Sequence, residues 1–515
     1  MSNKSFYYLL VYYFLFSLVS AQDTKELYWV TFQECARDLR LEKKLSANTY
    51  QNRRNSGLPE WQASDYGPEV GYLSPIQEIG GEIRTVSRWL NAASVWLSES
   101  QVDQVNQLYR VESVTPLRSY LVPASREHSL PAGAMVKALE AMQAQTLIRY
   151  QLTGEGVKIG VIDAGFYQAH TTNGLVPLFE NKQILGYRDF LTPGREGFFD
   201  VRRTDQDDHG TLVLLALGGK EAQTQFGLAT GSEYYLAITD HPVSETRREE
   251  DLWIAAVEWM DSLGIRLINS SLAYGDGFDE KKENHKVSEI DGKTLKITQA
   301  ADMAVNQKGI LIVNAAGNAG DRNDWKVIEA PADAKGVLTV GSSTPDFRKV
   351  AHSSIGPEKL PWVKPEIAAI SAVGTSFAAP FITGLAACLW ELEPGLSALQ
   401  MKELIQRSGH LSPFANNYLG YGIPQADRAI RLIEQPRQPG NFANTIKAEK
   451  KKVEIPVPDE SLPITIYHKW NSTKVTRMEI GKSVGGILTV QRPETETHTT
   501  VNFGTQSVYE ITWLE

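Results

Sequence analysis

Between Gly154 and Gly384 the chain alternates short, almost wholly apolar runs with stretches of helical periodicity. The runs are VKIGVID (157–163), YYLAIT (234–239), IRLINSSL (265–272), ILIVNAAG (310–317) and VLTVG (337–341). They are continuous rather than alternating, the pattern of strands covered on both faces. Between them lie amphipathic stretches such as Asp251–Leu263 and Thr298–Gln307, whose spacing predicts helices. Buried strands alternating with helices predict an α/β domain, a mostly parallel sheet with helices on both faces. Ligands of such sheets gather at the C-terminal ends of the strands, where several of these runs carry polar residues.

The flanks are patterned differently. In the N-terminal part, the strand-like stretches IRTVSRWL and YRVESV enclose Ser98–Leu108. Ser98 has the character of an N-cap there, and Val102, Val105 and Leu108 have helical spacing. A small α+β unit is expected over residues 22–125, followed by an exposed linker marked by Pro116, Pro123 and Pro131. The α/β domain then occupies 126–435. Beyond Glu434, five prolines from Pro436 to Pro463 mark a second linker, and ITIYHKW, KVTRMEI and TVNFGTQSVYEITW alternate as strands do. A small β module is therefore expected within 436–515. At the start, Lys4, the apolar run Phe6–Val19 and the small residues Val19-Ser20-Ala21 predict a cleaved export signal over residues 1–21. The run is short for a membrane span, so no stable membrane insertion is expected once the signal is cut.

Composition adds a few exclusions. The 515 residues are 42% hydrophobic and 22% charged, ordinary for a chain that buries a large core. The net charge of -9, from 61 acidic and 52 basic residues, argues against a nucleic-acid partner. Cys35 and Cys388 are the only cysteines. They give no disulfide framework, and Cys388, within an apolar helical pattern, is expected to be a small core residue.

Three signatures carry the chemistry. The first apolar run ends in Asp163-Ala164-Gly165-Phe166; Asp207-Asp208-His209-Gly210-Thr211 follows, then Gly374-Thr375-Ser376-Phe377-Ala378-Ala379-Pro380. Taken singly, Asp163 would be a strand-end cap, His209 a residue at a helix start and Ser376 an N-cap. Together they supply a hydroxyl nucleophile, an imidazole base and a carboxylate that holds the imidazole's tautomer and stabilises its cation. Their Asp, His, Ser order differs from that of trypsin-like and α/β-hydrolase triads.

On these motifs the stretch from about Gly154 to Ala426 resembles the subtilase family (peptidase S8), whose D-x-G, H-G-T and G-T-S-x-A-x-P signatures can be laid on it residue by residue. The resemblance implies that Asp163, His209 and Ser376 are catalytic. Asn314-Ala315-Ala316-Gly317-Asn318 is similar to the family's A-A-G-N, which assigns Asn318 to the oxyanion hole. Ile268–Ala273 is similar to the family's I-N-x-S-L-G strand, which makes Ser271, Leu272 and Ala273 substrate-binding by strand addition. The N-terminal unit resembles the propeptides of such enzymes, and the whole chain is similar to exported Bacteroidetes-type subtilases. Departures include Leu212 after H-G-T, Ala273 for the usual Gly, and only seven residues (Ile367–Val373) before Gly374, where relatives carry a longer Gly-rich loop.

These features lead to a secreted serine endopeptidase, extracellular, periplasmic or on the cell surface of a bacterium. Its expected partners are a protein or peptide substrate and its own N-terminal propeptide. No cofactor is expected to be required, and no metal ligands are assigned; structural calcium is compatible with the family, but no ligand loop can be picked out. The alternative from another class is a catalytically silent peptide-binding protein on the same scaffold. His170, His241, His285 and His352 lack ligand spacing, and Glu249-Glu250-Asp251 has the character of an acidic helix start.

Overall fold

The computed structural model of the chain describes residues 25–33, 45–117, 131–204, 207–240, 248–276, 285–436 and 443–514. The export signal, Cys35, His241 and most of the first linker lie outside the described residues. The chain divides into two compact units, residues 1–41 with 63–118, and residues 42–62 with 119–515.

The first unit is the small α+β element. Its strands β1 (Glu26–Phe32), β2 (Glu82–Ser87), β3 (Ala92–Leu97) and β4 (Val111–Pro116) form one sheet in the order β2-β3-β1-β4. Val30, Phe32, Ala93, Val95 and Leu97 bury one face together with Ile76 and Val105. The helix anticipated after Ser98 runs from Glu99 to Asn106, and Gln101 Oε1 accepts the Ser98 N–H at 2.9 Å. The stretch IRTVSRWL is not one strand. It breaks after Ser87 into a turn, with Asn91 in the left-handed region (φ 48°), a conformation that Asn tolerates better than most residues.

In the second unit, β5 (Lys158–Asp163), β6 (Ile184–Asp189), β7 (Glu233–Ile238), β8 (Leu267–Ser270), β9 (Leu311–Ala315), β10 (Leu338–Ser343) and β11 (Ile367–Ile370) form a seven-stranded sheet in the order β11-β10-β9-β8-β5-β7-β6. All six pairings are parallel. Alternate residues face opposite ways. Ile159, Val161, Leu267, Val313 and Val340 join the core built around α1 (Ala379–Leu392). On the other face, a Cβ at Gly160 would strike Met260 of α2 (Arg248–Ser262), so that helix lies directly on the sheet. Cys388 is fully buried, as expected of a core residue.

Two findings redraw the edges of this unit. A nine-residue helix, Ala47–Asn55, belongs to it although the chain around it belongs to the first unit. Thr49 Oγ1 donates to Asp261 O at 2.7 Å, Asn52 Nδ2 to Gly264 O at 3.0 Å, and Arg53, fully buried, pairs with Asp261 at 3.4 Å. The C-terminal β module also joins this unit. Its five-stranded sheet holds residues 443–448, 507–513, 498–503, 464–469 and 475–480, in that order across the sheet. Tyr467 and Val508 share a buried cluster with Ala368, Leu411 and Leu419, Tyr467 Oη donates to Phe347 O at 2.9 Å, and Lys474 Nζ donates to Pro357 O at 2.6 Å.

Because this seam is buried, Tyr467→Ala should destabilise the second unit by about 3–5 kcal/mol, the range for deleting a buried aromatic ring. Tyr467→Phe, which loses only the hydroxyl bond, should cost about 1 kcal/mol. Urea unfolding followed by tryptophan fluorescence measures both. Equal small effects would mean that the β module contributes nothing to the unit's stability.

Candidate active site

Asp163 is the last residue of β5 and is wholly buried. Its Oδ1 accepts the Ala164 N–H at 2.8 Å and contacts His209 Nδ1 at 2.6 Å. His209 opens the helix His209–Gly218, and the two segments interlock through their glycines. Gly210 N–H donates to Gly165 O at 2.8 Å. A Cβ on Gly210 would lie 2.9 Å from Asp163 Cβ, and one on Gly165 would lie 2.6 Å from Asp207 O. The glycines of both signatures are therefore what lets the carboxylate and the imidazole meet.

Ser376 lies in a single 3₁₀ turn, Thr375–Phe377, that leads into α1. It is held reciprocally: Ser271 Oγ donates to Ser376 O at 2.8 Å, and Ser376 Oγ donates to Ser271 O at 3.1 Å. The next residue, Phe377, sets its ring 5.1 Å from the His209 ring. His209 Nε2 is buried and has no hydrogen-bond partner among the described residues. With Nδ1 facing a carboxylate, Nε2 is the nitrogen left to accept a proton.

The loop after β9 closes the site from another side. Asn318 Oδ1 accepts from Thr375 N at 2.9 Å and from Thr375 Oγ1 at 3.2 Å, and Gly317 N–H donates to Thr375 Oγ1 at 3.1 Å. The donor end of the Asn318 amide thus lies on the opposite side from Thr375. Ser271, Leu272 and Ala273 follow β8. Leu272 O accepts from Asn314 Nδ2 at 3.0 Å, and Tyr274 exchanges both backbone bonds with Ala330 at 2.8 Å. Of the seven residues before Gly374, four form β11, and Ser371 Oγ donates to Gly374 O at 2.7 Å across the remaining three.

Burial opposes a charged His209, but the Asp163 carboxylate, its hydrogen bond and the charges of Asp208 and Asp240 outweigh it, so the imidazole pKa is raised. Asp240 is a site residue that motif reading missed. It lies two residues past β7, is 5% exposed, and accepts from Thr239 Oγ1 at 2.7 Å and Tyr274 Oη at 2.8 Å. Burial drives its carboxyl upward; the two hydroxyls and His209 pull it back, and the Asp163 charge adds to the rise. Its position at a strand's C-terminal end was the available signal. His285, which looked unremarkable, forms a buried 2.7 Å pair with Glu250. Among the described residues, no three His, Cys, Asp or Glu side chains converge as a metal ion requires.

Comparison with known proteins bears on this arrangement. Residues 154–422 match the subtilase family, and residues 27–129 match the peptidase S8 propeptide domain of Bacteroidota. Subtilisin DY of Bacillus licheniformis is 26% identical over 319 residues, which cover 59% of this chain and 99% of that protein. Subtilisin NAT of Bacillus subtilis subsp. natto is 23% identical over 358 residues, covering 67% and 82%. Among solved structures, fervidolysin from Fervidobacterium pennivorans, a keratinolytic enzyme related to subtilisin, aligns over 94% of this chain and 71% of its own. Its TM-score is 0.51 and its identity 17%, a likeness of fold.

The charges around His209 set a measurable titration. Followed by NMR of the imidazole, His209 should keep its second proton to a pH above the ordinary histidine value of 6.5. Asp163→Asn removes the main compensating charge and leaves burial dominant, so the pKa should fall below 6.5. An unchanged value in Asp163→Asn would remove Asp163 as the source of the shift.

Proposed function

This chain belongs to the subtilase family and is a subtilisin-like serine endopeptidase, and from that premise we propose that it works through an acyl-enzyme on Ser376. Ser376 Oγ attacks the peptide carbonyl carbon while His209 Nε2 takes its proton. The resulting imidazolium then gives that proton to the leaving amine as the C–N bond breaks. Water, deprotonated by the same nitrogen, attacks the acyl carbon, and the imidazolium returns that proton to Ser376 Oγ as the ester C–O bond breaks. Asp163 holds the Nδ1 proton throughout and stabilises the imidazolium. The observation that carries this reading is the 2.6 Å Asp163–His209 contact, with Nε2 lacking a hydrogen-bond partner among the described residues beside the turn that holds Ser376.

Negative charge developing on the carbonyl oxygen needs fixed donors. Asn318 is supported in that role by its loop's bonds to Thr375, which anchor the amide by its oxygen. The start of α1 adds a partial positive charge near Ser376. Residues 271–273 offer the extended strip along which a peptide would lie, in keeping with strand addition. The propeptide match supports the N-terminal part as the enzyme's own partner and first substrate. The apolar run Phe6–Val19 and the family's exported relatives support secretion, to the medium, periplasm or cell surface of a bacterium.

Three outcomes test this. A fluorophosphonate probe should label the wild type once per chain and leave Ser376→Ala unlabelled. In a protease-deficient host, Ser376→Ala should accumulate as a precursor uncut between residues 117 and 134, as read by N-terminal sequencing. Processing of Ser376→Ala at the wild-type bond would mean that another protease does the activating. Asn318→Ala should keep the fold but lower kcat by about 10²–10³, the loss typical of removing one oxyanion donor. An unchanged kcat would remove Asn318 from the oxyanion hole.

A further inference from the structure

A buried carboxylate beside the cleft takes no part in the chemistry above. Glu329 is 4% exposed, and its N–H donates to Ala316 O at 3.2 Å. The next residue, Ala330, is the one paired with Tyr274. Glu329 is thereby stitched across both strips of chain that flank Ser376: residues 271–275, and residues 315–318 with Asn318. Its side chain lies between them. A Cβ on Gly275 would fall 2.6 Å from Glu329 Oε1, and a Cβ on Gly317 would collide with Oε2. Only glycine at these two places leaves room for the carboxylate.

The surroundings of Glu329 are short of positive charge. Arg322 is committed elsewhere, with its Nη atoms on Asp276 at 2.8 and 2.6 Å and on Asp324 at 2.8 Å. Among the described residues Glu329 has no ion-pair partner. Burial and then the Asp276 charge push its carboxyl up to about 8, against the opposing pull of the Asn318 N–H and Arg322. Keeping a carboxylate charged in a protein interior without its own cation is costly, so the group stays largely protonated until a cation comes within hydrogen-bond reach, and an arriving cation would favour its charged form.

We propose that Glu329 forms the floor of the subsite for the substrate residue whose carbonyl is attacked, and selects lysine or arginine there. The inference rests on the peptidase reading above. A carbonyl poised between Ser376 and Asn318 directs its own residue's side chain between the 271–275 and 315–318 strips, toward Glu329. A long cationic side chain supplies the missing charge through a charge-assisted hydrogen bond in a water-poor setting, where such bonds are strong. An apolar side chain leaves the carboxyl unpaired. The stretch 117–134, where self-cleavage is expected, contains Arg118 and Arg126 as its only lysine or arginine residues.

The test uses the processed full-length enzyme, with active sites counted by fluorophosphonate labelling. It compares kcat/KM for peptides identical except for Arg, Lys or Leu at the position before the scissile bond. Arg and Lys should exceed Leu by about 100-fold, within the range for losing one partner of a buried charge pair. Glu329→Gln should collapse that ratio toward unity, chiefly through KM for the basic peptides. Preference for Leu in the wild type overturns the proposal. So does a Glu329→Gln variant that labels normally, loses activity on all peptides alike and keeps the ratio, because Glu329 would then only support Asn318. Failure of the wild type to label on Ser376 defeats the peptidase reading and this inference with it, whereas labelling without a basic preference defeats this inference alone.

Discussion

In a parallel ladder, neighbouring strands must all finish on the same side of the sheet, and the candidate site hangs on that constraint. At the sheet's centre, Ile162 of β5 stands opposite Ser270 of β8, and Ser270 stands opposite Asn314 of β9. Asp163, Ser271 and Ala315 therefore leave the sheet at one level. The carboxylate, the strip 271–273 and the loop to Asn318 are delivered side by side without any long-range adjustment. The turn before α1 is then pinned against two of these three strand ends, by Ser271 and by Asn318 through Thr375. A slip of one residue in either pairing would turn each side chain to the opposite face and separate these groups.

Electrostatics follows from the same convergence. Gathering the C-terminal ends of β5 and β7 brings the Asp163 charge close enough to act on Asp240, and both close enough to act on His209. The imidazole is held toward its charged form by carboxylates and toward its neutral form by burial, a balance suited to passing a proton in both directions. Glu329 differs in having no imidazole or guanidinium paired with it among the described residues. Both oxygens lie against glycine, which makes the two wall strips of the cleft part of its environment.

The boundaries of the second unit are set by packing rather than by position along the chain. The helix Ala47–Asn55 is almost entirely polar and has no apolar stripe; in isolation so short a segment would not hold helical structure. It is kept by bonds to the end of α2, above all the buried Arg53–Asp261 pair. The C-terminal strands likewise bury Tyr467 and Val508 against Ala368, Leu411 and Leu419, so a segment that reads as a separate module shares a core with the α/β sheet.

The chain by itself determined the α/β class, because strands covered on both faces must be continuously apolar, and five of the seven parallel strands are written that way. It also determined the order and local setting of Asp163, His209 and Ser376, since strand ends, helix starts and the glycines beside them are written locally. Two strands stayed hidden for physical reasons. In β6, at the sheet edge, Gly186, Arg188 and Asp189 interrupt the apolar run, and β11 is only four residues long. Only the tertiary structure decided the 2.6 Å approach of Asp163 to His209, the presence of Asp240 beside them, and the placing of Glu329 between Gly275 and Gly317. Those depend on charge and burial contributed by residues far apart in the chain, and no local pattern of residue types encodes a distance across a sheet.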